Sequence, residues 1–187
     1  YGSGRNSGSG SYGRLARFKA HIINRFVHDH SIQSVIELGC GDGAQLSLAD
    51  YPRYVGLDIS PTAVETCRQT FADDTTKTFH VYFPDQFDPR QFSCELGLSL
   101  DVLFHLSHDE LYRTYLAHLF AASERFVIIY ANVDSRTRYG VSEEATYMRF
   151  RDVYHDISSW HRDWHLVEAI PNWYPYSAQN PNDTSVA

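Results

Sequence analysis

The chain has 187 residues, 43% of them hydrophobic, enough for one core of ordinary domain size and too few for two. Its formal net charge of -7, from 16 basic and 23 acidic residues, works against nonspecific attraction to nucleic acid phosphates or anionic membranes. A mean hydropathy of -0.39, with no run near the roughly 20 apolar residues of a spanning helix, argues against the membrane classes.

Residues Tyr1 to Gly10 lack the apolar segment of a secretory signal, so a cytoplasmic location is expected. Cys40, Cys67 and Cys94 are an odd set without a CxxC pair, which speaks for reduced structural thiols rather than a disulfide framework or zinc cluster. Residues 1–13 read as a flexible Gly/Ser-rich segment, a tail or a lid over a ligand, and residues 14–187 as a single domain.

From Arg14 to His30, Leu15, Phe18, Ile22, Ile23 and Phe26 recur at helical spacing and predict an amphipathic helix. Short apolar runs then alternate with helical stretches, the pattern of βαβ units and a parallel sheet. Strands are predicted at Ser34–Leu38, Arg53–Leu57, Thr78–Phe83, Leu96–Leu100 and Arg125–Tyr130, with a connecting stretch around Ala44 to Ala49. Helices are predicted after Pro61 and from about His108 to Ala122. Beyond Tyr130 the pattern is irregular and rich in Arg and Tyr; a helix over about Ala145 to Trp160 and a sixth strand at Trp164–Ile170 are expected. The ending Thr184-Ser185-Val186-Ala187 reads as the entry to another strand, so a chain cut short is expected.

The most informative segment is Val35-Ile36-Glu37-Leu38-Gly39-Cys40-Gly41-Asp42-Gly43, a strand running straight into a glycine-rich turn. Glycines there remove side chains, so the main chain can lie against a ligand at the carboxyl end of a strand. Dinucleotide loops read GxGxxG, and Gly43 falls one position too early for that, which disfavours a nicotinamide enzyme. The pattern resembles the first motif of the class I S-adenosylmethionine-dependent methyltransferases, acidic-x-Gly-x-Gly-x-Gly, through Glu37, Gly39, Gly41 and Gly43.

The resemblance continues in order to Tyr130. It implies an α/β fold, a Rossmann-like doubly wound and mostly parallel sheet of the seven-strand type in three layers, here expected to lack its last strand. It also implies S-adenosylmethionine as cofactor, held by Glu37 and the loop Gly39, Cys40, Gly41 and Gly43. Asp58, at the end of Tyr54-Val55-Gly56-Leu57-Asp58, corresponds to the acidic residue that accepts the ribose hydroxyls, with Ile59 against the adenine. Asp85, with Gln86 in reserve, corresponds to the side chain at the adenine amino group, and Asp101 lies at the site mouth near the methionine part. Tyr12 is a candidate to close over the methionine end.

Methyl transfer from a sulfonium is an in-line displacement needing alignment and exclusion of water, with a base for hydroxyl acceptors. His105, just after the fourth strand, is the candidate base, and Asp101 beside it a second catalytic candidate. His155, His161 and His165 show no HExxH spacing, so no metal site is expected. Arg136, Arg138, Arg149 and Arg151, with Tyr139 and Tyr147, are the cationic and aromatic concentration of an acidic protein and suggest a small, anionic acceptor. Trp173, Tyr174 and Tyr176 are candidates for core cover or pocket wall. The acceptor is expected to take the methyl at O or N, in glycan or secondary-metabolite chemistry; the competing reading is a noncatalytic module binding the cofactor or a partner. A nucleic acid methyltransferase is disfavoured by charge and by the lack of an Asn/Asp-Pro-Pro motif.

Overall fold

A computed structural model describes residues 9–133, 148–175, 177, 179 and 180. Its five strands are β1 (Val35–Leu38), β2 (Tyr54–Asp58), β3 (Lys77–Val81), β4 (Cys94–Leu100) and β5 (Ser123–Tyr130). All pair in parallel, in the order β3-β2-β1-β4-β5. The helices are α1 (Gly13–Asp29), α2 (Pro61–Thr70), α3 (Asp109–Ala121) and α4 (Val153–Trp160).

The apolar runs become strands because both faces of the sheet are covered, so β1 is buried at every position. On one face Ile23 and Val27 of α1 and Val64 and Cys67 of α2 pack with Val35, Tyr54, Phe79, Leu96 and Leu98. On the other, Tyr112, Leu116 and Leu119 of α3 and Val153 of α4 pack with Ile36, Leu38 and Leu57. Three layers result, the doubly wound architecture expected from the sequence.

Helix starts follow local chemistry. Ser60 caps α2 by accepting from the Ala63 amide at 3.3 Å, with Pro61 at the first position, and Asp152 caps α4 by accepting from the His155 amide at 3.0 Å.

Several boundaries differ from the sequence expectation. The third strand ends at Val81, because the chain turns through Tyr82 and Phe83 into a 3₁₀ turn that begins at Pro84. The Ala44–Ala49 stretch holds only a 3₁₀ turn, Leu46–Leu48. The last helix begins at Val153 rather than near Ala145, where the Asp152 cap fixes its start; residues 145–147 lie outside the described residues. Trp164–Ile170 is not a strand: it joins no ladder, and Leu166 and Val167 are exposed. Trp164 meets Phe120 at 5.1 Å while Trp173 meets Phe18 of α1 at 5.1 Å, so aromatic anchors rather than backbone pairing fix this segment. Five strands stand among the described residues instead of a seven-strand set. Arg136, Arg138, Tyr139, Tyr147, Tyr176 and Thr184 to Ala187 lie outside them.

Candidate functional site

β1 is flanked by β2 on one side and β4 on the other, and the crossovers leave β1 in opposite directions, which opens a crevice at the carboxyl ends of the strands. Glu37, Asp58 and Asp101 come from the ends of these three strands. The glycine loop begins where β1 ends. Gly39, at φ 89°, has the left-handed conformation that favours glycine, and a Cβ there would stand 2.4 Å from Val102 Cγ2. The Gly39 and Cys40 amides both donate to the Leu57 carbonyl, at 2.7 and 3.0 Å, so the loop folds back over β2.

Asp58 holds that loop directly. One carboxylate oxygen accepts from the Gly41 amide at 2.9 Å and the other from the Ser60 amide at 2.8 Å. A loop amide bound to a carboxylate is unsuited to cradle a pyrophosphate, so the geometry goes against a dinucleotide just as the GxGxG spacing does. Ile59 follows, 71% exposed, and Phe83, at the end of the neighbouring strand, is 55% exposed. The two large apolar side chains stand exposed at the crevice edge, as a flat base would require. Asp85 and Gln86 lie exposed on the 3₁₀ turn just beyond Phe83.

Asp101 has φ 60°, an uncommon conformation for a residue with a side chain, and its amide donates to the Tyr130 carbonyl at 2.9 Å. Its carboxylate accepts from Lys19 Nζ at 2.6 Å. Lys19 belongs to the buried face of α1, is only 3% exposed, and lies 5.1 Å from the centre of the Tyr130 ring. Gly10 packs so closely that a Cβ on it would stand 2.5 Å from Asp101 Oδ2. Ser9–Ser11 forms a 3₁₀ turn, and the Tyr12 hydroxyl donates to Asp42 Oδ2 at 2.8 Å. Gly10 and Tyr12 therefore meet the site, at Asp101 and at the glycine loop.

Glu37 is 4% exposed, with the Tyr54 hydroxyl donating to its Oε2 at 2.7 Å. Burial pushes its carboxyl up to about 7, against the lowering effects of the Tyr54 hydrogen bond and the Lys19 charge; Asp58 and Asp101 push the same way as burial. Cys40 and Cys67 are buried beneath the loop, and the neighbouring thiol together with burial holds the Cys40 thiol far above its ordinary range, so it is inert.

His105 ends the 3₁₀ turn Leu103–His105. It reaches solvent while its ring meets Phe104 at 4.5 Å, and burial against the protein lowers its pKa, opposed by Asp101. The imidazole is thus neutral at pH 7, the form that accepts a proton. Arg149 and Arg151 are committed elsewhere: Arg149 Nη2 donates to Asp109 Oδ2 at 2.9 Å and Arg151 Nη2 to Asp109 Oδ1 at 3.2 Å. They tie the segment before α4 to the start of α3. His155, His161 and His165 join no group of His, Cys, Asp or Glu able to hold a metal among the described residues.

The structure thus gathers Glu37, Gly39, Gly41, Gly43, Asp58, Asp101 and Tyr12 around one crevice. Two contributors escaped the sequence reading. Lys19 had a detectable signal, a basic residue on the apolar stripe of an amphipathic helix; Phe83 had one too, an aromatic side chain just past a strand end.

Residues 35–123 match a protein family described as a methyltransferase domain. No curated protein sequence matches the chain. Among solved structures, the methyltransferase domain of bacterial CtHen1 aligns at 18% identity and a TM-score of 0.59, covering 75% of this chain and 80% of that one. An O-methyltransferase family protein from Burkholderia thailandensis aligns at 16% identity and a TM-score of 0.60, covering 80% of this chain and 50% of that one. An amino pentose methyltransferase from Micromonospora echinaspora involved in calicheamicin biosynthesis, with S-adenosylmethionine bound, aligns at 16% identity and a TM-score of 0.53, over 65% of this chain and 53% of that one. These likenesses are of fold, and the chain spans about half the length of the amino pentose enzyme. The family match over residues 35–123, a little under half of the chain, and the shared fold make this chain similar to methyltransferase domains.

Proposed function

We propose that the protein transfers the methyl group of S-adenosylmethionine to an amine or hydroxyl of a small-molecule acceptor. The observation that carries this is the crevice: a glycine loop tied to a carboxylate, with two further carboxylates and two exposed apolar side chains. The donor set suits the cofactor. Carboxylates match ribose hydroxyls and an ammonium group, and apolar surfaces match a purine. S-adenosylmethionine supplies an electrophilic methyl group on a sulfonium.

The residues of this chain have separate tasks. Asp58 accepts the ribose hydroxyls with the lone pairs its two backbone amides leave open. Ile59 and Phe83 cover the adenine, and Asp85 or Gln86 accepts from its amino group. Asp101 faces the methionine ammonium, Gly39, Cys40, Gly41 and Gly43 shape the floor, and Tyr12 closes the methionine end. Neutral His105 takes the proton of a hydroxyl acceptor on its imidazole nitrogen; an amine that arrives deprotonated needs no base. Solved structures of similar fold include an amino pentose methyltransferase and the N-methyltransferase NodS, which fits a small acceptor in kind. Arg136 and Arg138 are the proposed contacts to an anionic group on it.

Calorimetric titration with S-adenosylmethionine, with S-adenosylhomocysteine and with NAD as control tests the reading. Micromolar binding of the first two and none of NAD is the expected result, followed by turnover in a screen of amine and hydroxyl acceptors. Binding without turnover on any acceptor would favour a noncatalytic cofactor-binding module. Binding of NAD alone would refute the proposal.

A further inference from the structure

Glu37 stands at the carboxyl end of β1, beside the crevice of the proposed function. Its carboxylate is almost fully buried and accepts a hydrogen bond from a neutral group, the Tyr54 hydroxyl. The basic side chain facing it, Lys19 of α1, is already joined to Asp101 at 2.6 Å. From β2 the carboxylate of Asp58 faces it, and from the end of β4 that of Asp101. The neutral titratable groups around it are Cys40 of the loop, Tyr51 and Tyr54 beside and on β2, and Tyr115 of α3. Of these three carboxylates, Asp101 holds the ammonium group and Asp58 two backbone amides, while Glu37 meets the neutral Tyr54 hydroxyl.

S-adenosylmethionine differs from its demethylated product chiefly by the sulfonium, one full positive charge. We propose that Glu37 is the residue through which this site discriminates the cofactor from its spent product, ionising when the sulfonium is present and holding a proton when it is absent. The inference rests on the methyltransferase reading and deepens it. An added positive charge near a buried, poorly paired carboxyl favours its ionised form. Binding of the cofactor then releases a proton into solution, and loss of the methyl group draws one back. No external reactant is needed, since the proton is exchanged with water. The burial that pushes Glu37 up to about 7 places this exchange at neutral pH. Asp58 is not equivalent, because two backbone amides already hold its charge.

By linkage, the affinity ratio of cofactor to product rises about tenfold, between roughly pH 5.5 and 8.5, for each unit by which the sulfonium lowers the Glu37 carboxyl. The test is calorimetric binding of S-adenosylmethionine and S-adenosylhomocysteine in buffers of different ionisation heat, across that range. Wild-type protein should release a fraction of a proton with the cofactor and less with the product, and Glu37→Gln should release none and show a flat affinity ratio. Tyr54→Phe removes the hydroxyl that favours the ionised carboxyl, so the midpoint should move to higher pH. Equal proton release by wild type and Glu37→Gln would overturn the inference while leaving the methyltransferase reading intact. Should Glu37→Gln not fold, an unmoved midpoint in Tyr54→Phe would overturn it. Failure of the wild type to bind either compound would refute the function itself, and this inference with it.

Discussion

Glu37 also makes folding stability depend on pH in a direction opposite to most carboxylates. Its carboxyl is raised from 4.5 to about 7 in the fold. Between those values the native state keeps a proton that the unfolded chain has lost, so stability falls as pH rises. The contribution is fully present below pH 4.5, is lost through pH 7 and is flat above it. A difference of about 2.5 pKa units corresponds to about 3 kcal/mol at full burial. Glu37→Gln keeps an acceptor for the Tyr54 hydroxyl and removes the ionisation. The variant should therefore match the wild type near pH 4 and exceed it by about 3 kcal/mol at pH 8. Urea unfolding followed by tryptophan fluorescence, at intervals between these pH values, gives the difference directly, and subtracting the two proteins cancels the other titrating groups they share. A stability difference independent of pH would refute the reasoning.

Other expectations follow from the same geometry. Asp58→Ala leaves the Gly41 and Ser60 amides without acceptors and should cost about 2 kcal/mol of stability while weakening cofactor binding, read by urea melts and calorimetry. Lys19→Met leaves the Asp101 charge part-buried and unpaired and should destabilise by about 3 kcal/mol; combining it with Asp101→Asn should recover part of that loss. His105→Ala should lower kcat on a hydroxyl acceptor by about a hundredfold or more, with cofactor Kd unchanged, and an unaltered rate would return the imidazole to a packing role.

Much of the sheet was legible because strands covered on both faces are written as continuous apolar runs, and because Gly39, Gly41 and Gly43 mark where the chain must turn. The Trp164–Ile170 run carried an equally apolar signal and formed no strand: alternation reports a preference for extended backbone, and only a neighbouring ladder turns that preference into a sheet. The pairing of Lys19 with Asp101 joins residues 82 positions apart, and no local pattern encodes it. Likewise the basic residues Arg149 and Arg151 suggested ligand contacts, yet Asp109 engages both, a partner revealed only when the chain folds back. Glu37 was visible as a motif position, but its unusual titration comes from burial in the fold, against the lowering effect of the Tyr54 hydroxyl.

The register of β1 with β4 runs only as far as Glu37 and Leu98. One residue further on, the Tyr115 hydroxyl donates to the Leu38 carbonyl at 2.7 Å and lies 2.8 Å from Ser99 Oγ. A phenol thus acts as a fixed spacer at the point where the two strands part, and both strand ends are braced against the same helix. The mouth of the crevice is consequently gauged by a side chain rather than by whatever enters it. Ligands would meet a gap already set to width, and the entropic cost of ordering this part of the wall is met during folding rather than at each encounter.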